Sequence, residues 1–220
     1  MTRGAFITFE GGEGAGKSTQ VKRLARHLEA FGATVTITRE PGGSPLAEAI
    51  RGLILTHEAA SDDGLTQALL FAAARRDHVM RTIRPALKQG HIVLCDRFAD
   101  STRAYQGGRV RQDVLETVIS LGSDGLVPDM TLLLDLPPEI GLERARNRLT
   151  GVEDTFERSN LAFHREVRQR FLALAHGNGS RFTIIDATRN ESDVAEAVRA
   201  AVRERLVASQ SGNSGSTGGV

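Results

Sequence analysis

Gly11-Gly12-Glu13-Gly14-Ala15-Gly16-Lys17-Ser18-Thr19 sets four glycines within six residues and follows them with a lysine and two hydroxyls. Glycines this dense weaken any regular element, so the position needs bare backbone more than it needs helix or strand. Bare backbone wraps a chain of phosphates and turns its N–H groups inward, and a helix starting at Lys17 adds the partial positive charge of its N-terminus. In the pattern G-x-x-x-x-G-K-S/T, the lysine reaches the β- and γ-phosphates and the Ser18 hydroxyl can ligate Mg²⁺. The flanks are those this chemistry requires: Ala5–Glu10 reads as a strand and Lys17–Phe31 as a helix with apolar spacing through Val21, Leu24, Ala25 and Leu28. The stretch predicts binding of a nucleoside triphosphate. It does not name an acceptor.

Hydrolytic switches and phosphotransferases share such a loop. The chain has no Asn-Lys-x-Asp guanine reader, which counts against a GTPase. A nucleotide kinase needs a second anionic pocket, and arginines suit it through bidentate contacts. Arg39 follows the second predicted strand and Arg97 the third, where ligands of parallel sheets bind. Phe71 and Arg75 share a helix face at i,i+4, so an aromatic ring and a guanidinium could stack on and hydrogen-bond a base; plain core packing explains Phe71 equally well. Asp96 beside Arg97 could orient Mg²⁺ through water, take part in proton transfer, or merely cap a helix. A regulatory module that binds ATP without a second substrate is the rival from another class.

These residues must be held by elements, and the sequence punctuates them clearly. Thr34–Thr38, His91–Cys95, Met130–Leu136 and Arg181–Asp186 read as further strands. Pro45–Leu55, Gly64–Gln89, Pro137 to about Arg148, Ser159–His176 and Ser192–Ala208 read as helices, and Gly151–Glu157 as a loop. Short apolar strands alternating with helices predict an α/β domain over 1–208, a parallel sheet covered on both faces. Residues 209–220 are rich in Gly and Ser and read as a flexible tail. A length of 220 residues, 40% of them hydrophobic and 25% charged, suits one globular domain, and a net charge of +1 gives no field pointing to nucleic acid or membrane. Cys95 is the single cysteine, so an internal disulfide is excluded and a cytoplasmic setting fits. The six histidines are scattered without metal spacing and read as surface or packing residues.

In order along the chain, "FEGGEGAGKSTQ", "TREPGGS", "LLFAAARRDH", "DRFADSTRAYQG", "PDMTLLLDLPPEIGLERAR" and "IDAT" resemble the successive signatures of bacterial thymidylate kinases, covering Phe6 to about Val207. The phosphate loop alone is unspecific; "DRFADSTRAYQG" with "REPGG" is highly specific. The resemblance implies a P-loop kinase fold with a mobile lid, the reaction ATP + dTMP ⇌ ADP + dTDP with Mg²⁺ at Ser18 and Asp96, and a homodimer. It implies that Phe71 stacks on thymine, Arg75 bonds its O4, and Arg39 and Arg97 hold the dTMP phosphate. Ser101, Thr102 and Gln106 lie around the nucleoside, Tyr105 crowds the 2′ position, Glu13 faces the acceptor, and Asp186–Thr188 pass near adenine.

The same resemblance places arginines on a lid at about 144–158, since the phosphate loop carries none. Relatives read Asp-Arg-Phe-Glu where this chain reads Asp154-Thr155-Phe156-Glu157. With Thr155 in the arginine's place, Arg148 and Arg158 are the expected catalytic cations, and Arg144 lies nearer the adenine side.

Overall fold

The computed structural model describes residues 4–56, 63–147 and 161–211, with side chains to residue 205. Arg148, Thr155, Arg158, most of the expected lid and nearly all of the expected tail lie outside the described residues. Five strands form one parallel sheet: β1 (Phe6–Glu10), β2 (Val35–Arg39), β3 (Ile92–Asp96), β4 (Met130–Asp135) and β5 (Phe182–Asp186), in the order β2-β3-β1-β4-β5. β1 is central and buried along its whole length. Its apolar residues divide between the faces as strand alternation demands. Ile7 and Phe9 pack under α1 (Lys17–Ala30) and α9 (Glu191–Ser211). Phe6 packs on the other side with α3 (Gly64–His78), α5 (Ala99–Gln106) and α6 (Gln112–Ser123). On that side α8 (Leu161–Gly177) buries Val167, Phe171 and Ala175 against Leu133 and Phe182.

The chain leaves β1 for β2 on one side and later crosses to β4 on the other, so a crevice opens at the carboxyl end of β1. Register sets the crevice's floor: Asp96 pairs with Phe9 across β1–β3 and with Arg39 across β2–β3. The phosphate loop, Asp96 and Arg39 therefore emerge side by side.

Two stretches depart from the sequence reading. The stretch Gly64–Gln89 is helical, but it widens into a π-helical turn at Val79–Ile83 before α4 (Arg84–Lys88). Pro85 lacks an N–H and its ring would collide with the carbonyl four residues back; the Arg84 N–H reaches Val79 O instead. Between Arg97 and Pro128 the pattern above contains no element, whereas the structure has α5 and α6. The latter carries Leu115, Val118 and Ile119 into the core at helical spacing. The remaining helices, α2 (Pro45–Thr56) and α7 (Pro138–Arg146), stand where expected, and α9 runs to Ser211, three residues into the segment read as tail.

Candidate functional site

The phosphate loop closes on itself. Lys17 donates through Nζ to Gly11 O at 3.1 Å and Gly12 O at 2.8 Å, so the loop's own carbonyls hold the ammonium at the helix N-terminus. Burial, and then the Arg97 charge, bring its pKa down to about 8. Gly14 takes a left-handed φ of 69°, and a Cβ there would sit 2.0 Å from the carbonyl oxygen of Gly141 in α7. In return, a Cβ on Gly141 would sit 2.2 Å from Glu13 O. Ser18 donates through Oγ to Asp96 Oδ2 at 2.5 Å, which places a hydroxyl and a carboxylate together at the loop's mouth.

Arg97 follows with φ 69°, an unusual backbone for a non-glycine residue. That twist turns its side chain back over the loop, where Nη2 lies 3.3 Å from Glu13 Oε2 and Nη1 3.4 Å from Tyr105 Oη. Burial opposes its charge, but Tyr105, Glu13, Asp96 and Glu10 outweigh burial and raise its pKa. What holds the twist is Glu10, the last residue of β1. Its fully buried carboxyl group accepts from the Phe98 N–H at 2.8 Å, the Ser101 N–H at 3.3 Å and Ser101 Oγ at 2.6 Å. α5 has no side-chain cap of its own; β1 supplies one from 88 residues away.

Burial, and then the charge of Asp100, push the Glu10 pKa up to about 8 from an ordinary 4.5. Between those two values the folded protein keeps a proton that the unfolded chain has released. This group's contribution is therefore full below about pH 4.5 and is lost as pH rises through about 8. We expect urea-unfolding stability to decline over that interval, and Glu10→Gln, which stays neutral, to flatten the decline. An equally steep decline in the variant would remove Glu10 as its cause.

At the far end of the cleft, Arg75 is buried in a fixed pose. Nε donates to Glu40 Oε2 at 2.7 Å and Nη2 to Thr102 Oγ1 at 2.9 Å and Phe98 O at 3.3 Å. Glu40 is held in turn by His78 Nδ1 at 3.1 Å, and the other ring nitrogen of His78 meets Thr38 Oγ1 at 2.6 Å. Nη1 of Arg75 has no hydrogen-bond partner. Phe71, half-buried, lines the cleft beside Arg75. Its ring is thus accessible from the cleft and not sealed in the core.

The cleft, about 300 Å³, joins both ends. It gathers Glu13–Ser18, Arg39, Phe71, Arg75, Asp96, Arg97, Ser101, Thr102, Tyr105 and Gln106. Ser101 and Thr102 spend their hydroxyls on Glu10 and Arg75, and Gln106 donates to Gln67 Oε1 at 3.2 Å. Gly11, Gly12 and Thr19 are not among the lining residues. Neither is Arg144, which donates to Ala187 O at 3.0 Å and packs on the segment expected near adenine. The sequence reading assigned no role to Glu10, Glu40, Arg51 or His164; the last three line the cleft. Arg51 alone carried a signal, its charge on a helix after the second strand.

A glycine-rich loop between the central strand and a helix, facing an arginine-lined pocket, defines a protein of the P-loop NTPase fold. A family model described as thymidylate kinase matches residues 9–198. Thymidylate kinases of Bradyrhizobium sp. (strain BTAi1) and Caulobacter vibrioides are 52% and 50% identical to the chain, over 93% and 94% of it and 92% and 99% of their own lengths. The crystal structure of thymidylate kinase from Ehrlichia chaffeensis superposes with a TM-score of 0.72 at 33% identity, covering 91% of this chain and 99% of that one. The chain belongs to the thymidylate kinase family.

Proposed function

We infer that the chain transfers the γ-phosphoryl group of ATP to dTMP, giving ADP and dTDP on the way to dTTP. A non-bridging oxygen of the dTMP phosphate bonds to the γ-phosphorus as the bond to the β–γ bridging oxygen breaks, and ADP leaves with the electron pair. The attacking phosphate is already anionic, so no base is needed. The work is alignment and charge neutralisation. Lys17 and the loop N–H groups hold the donor phosphates, Arg39 and Arg97 the acceptor phosphate, and Arg148 and Arg158 supply the remaining cations on closure. Arg144 lies toward adenine. The paired oxygens of Ser18 and Asp96 fit Mg²⁺, which takes one or two protein oxygens and completes its shell with phosphates and water; bound there, it would offset phosphate charge.

The observation that carries the choice of base is the buried, unpartnered Nη1 of Arg75 beside Phe71. A fixed donor wants an acceptor. O4 of thymine is one, whereas cytosine presents an amino donor at that position. The 5-methyl group adds about 1–3 kcal/mol in an apolar pocket, so dTMP should exceed dUMP by roughly 10–200-fold in kcat/KM. In a panel of dTMP, dUMP, dCMP, dGMP and UMP with ATP, dTMP is expected first and dCMP at least about a hundredfold below it. Parity of dUMP or dCMP with dTMP would overturn the assignment. A homodimer is supported by the exposed Leu69 of α3, Met80 of the π turn and Leu121 of α6, the last two on elements that each pack against α3. No described helix is long and apolar enough to cross a membrane. The cytoplasmic setting rests on the substrates and the single, buried Cys95.

A further inference from the structure

Arg75 keeps Nη1 free although a carboxylate touches its guanidinium. A carboxylate has two oxygens and frequently takes two arginine N–H groups as a fork. Glu40 takes one, from Nε to Oε2 at 2.7 Å. Its other oxygen is occupied: His78 Nδ1 donates to Oε1 at 3.1 Å. Arg75 and His78 lie at i,i+3 on α3 and so share a face. Glu40 follows β2, and its own N–H donates to Asp96 O at 2.9 Å, which pins it to β3.

His78 is fully buried, and neither it nor Thr38 lines the cleft. The histidine therefore bears on the nucleotide only through Glu40. Its ring is oriented from the far side. Nε2 lies 2.6 Å from Thr38 Oγ1. The bare backbone of Gly43 closes over that bond, for a Cβ there would sit 2.5 Å from Nε2 and 2.4 Å from Oγ1. An ionised carboxylate only accepts, so Nδ1 carries the proton shared with Glu40.

We propose that His78 is a positioning residue for base selection: it occupies Glu40 Oε1 and so leaves Arg75 Nη1 open to the acceptor nucleotide, while Thr38 holds the ring to that task. This rests on Arg75 reading O4 of thymine. Without His78, Oε1 is a bare acceptor beside the guanidinium and competes with the base for its N–H groups. The discrimination of a carbonyl from an amino group at position 4 then falls. The 5-methyl group is read by apolar contact, which does not pass through Glu40.

Two ratios of kcat/KM test this. The dTMP/dCMP ratio reports the group at position 4, and the dTMP/dUMP ratio the methyl group. His78→Leu should lower the first roughly tenfold, with the loss on dTMP carried by KM, and leave the second within about twofold of the parent. His78→Asn sets an amide donor where Nδ1 stands and should recover most of the dTMP/dCMP ratio. His78→Gln carries its amide toward the place of Nε2 and should recover little. If His78→Leu does not fold, Thr38→Val removes only the hydroxyl and should lower the dTMP/dCMP ratio roughly threefold. An unchanged dTMP/dCMP ratio in the folded Leu or Val variant overturns the proposal, because a histidine that only supports the fold would lower every acceptor alike. A parent chain that uses dCMP as readily as dTMP would instead overturn the assignment of Arg75 to the base.

Discussion

Lys17→Ala is expected to lower kcat by about 10²–10³-fold while leaving dTMP binding near its parental value. Removing one preorganised donor from a developing oxyanion typically costs that much, and Lys17 is the cation built into the loop itself. Its Nζ is satisfied by Gly11 O and Gly12 O. The ammonium is thus held at the mouth by backbone carbonyls and is not stored in a salt bridge that ATP would have to break. Loss of the side chain leaves the buried Gly11 O and the part-buried Gly12 O without this donor, so a stability loss of about 1–3 kcal/mol should accompany it. Steady-state turnover at saturating ATP and dTMP, with a thermal melt beside it, reads both effects. A kcat within tenfold of the parent would mean that Lys17 does not act on the transferring phosphoryl group. In the same assay Arg148→Ala and Arg158→Ala should each cost at least about tenfold, or about 1.4 kcal/mol.

Arg75→Ala should damage two properties at once. Its guanidinium forms a buried ion pair with Glu40, and the two side chains are only 2% and 5% exposed. Deleting one partner strands a carboxylate with His78 alone, and breaking such a pair costs about 3–5 kcal/mol. The variant should therefore unfold at markedly lower urea concentration and raise the KM for dTMP while sparing that for ATP. The two losses can be separated. Arg75→Met combined with Glu40→Gln removes both charges, and replacing a whole buried pair is often close to neutral for stability. The double variant should regain most of the stability and none of the dTMP recognition. Recovery of both would show that Arg75 serves the fold and not the base.

Much of this architecture was legible because it is written in local patterns. The glycine loop announces itself by spacing, and the strands by short apolar runs closed with Pro and Gly. Arg39, Asp96 and Arg97 were chosen by the rule that ligands gather at strand carboxyl ends, and the register of β1, β2 and β3 sets Arg39 and Asp96 side by side there. What escaped is non-local. α5 reads "ADSTRAYQ", two polar turns without a capping side chain of their own. Its cap is Glu10, a residue that in sequence looks like the polar end of a strand. Glu40 sits inside a motif whose arginine and proline draw attention, and its partner lies 35 residues on. His164 is a lone histidine on an amphipathic helix. Only the packing of α8 turns it toward the cleft. Arg148 and Arg158 were legible as charge and lie outside the described residues.

The mutual contact of Gly14 and Gly141 bears on how this sequence can drift. At both positions an added Cβ would strike main chain, Gly141 O in one direction and Glu13 O in the other. Trimming a side chain cannot relieve either clash, because no side chain is involved. A selection for second-site revertants of Gly14→Ala should therefore yield true reversions, and none at residue 141. The two positions behave as one indivisible requirement, tying the loop that grips the donor to the helix that leads toward residues 148–160.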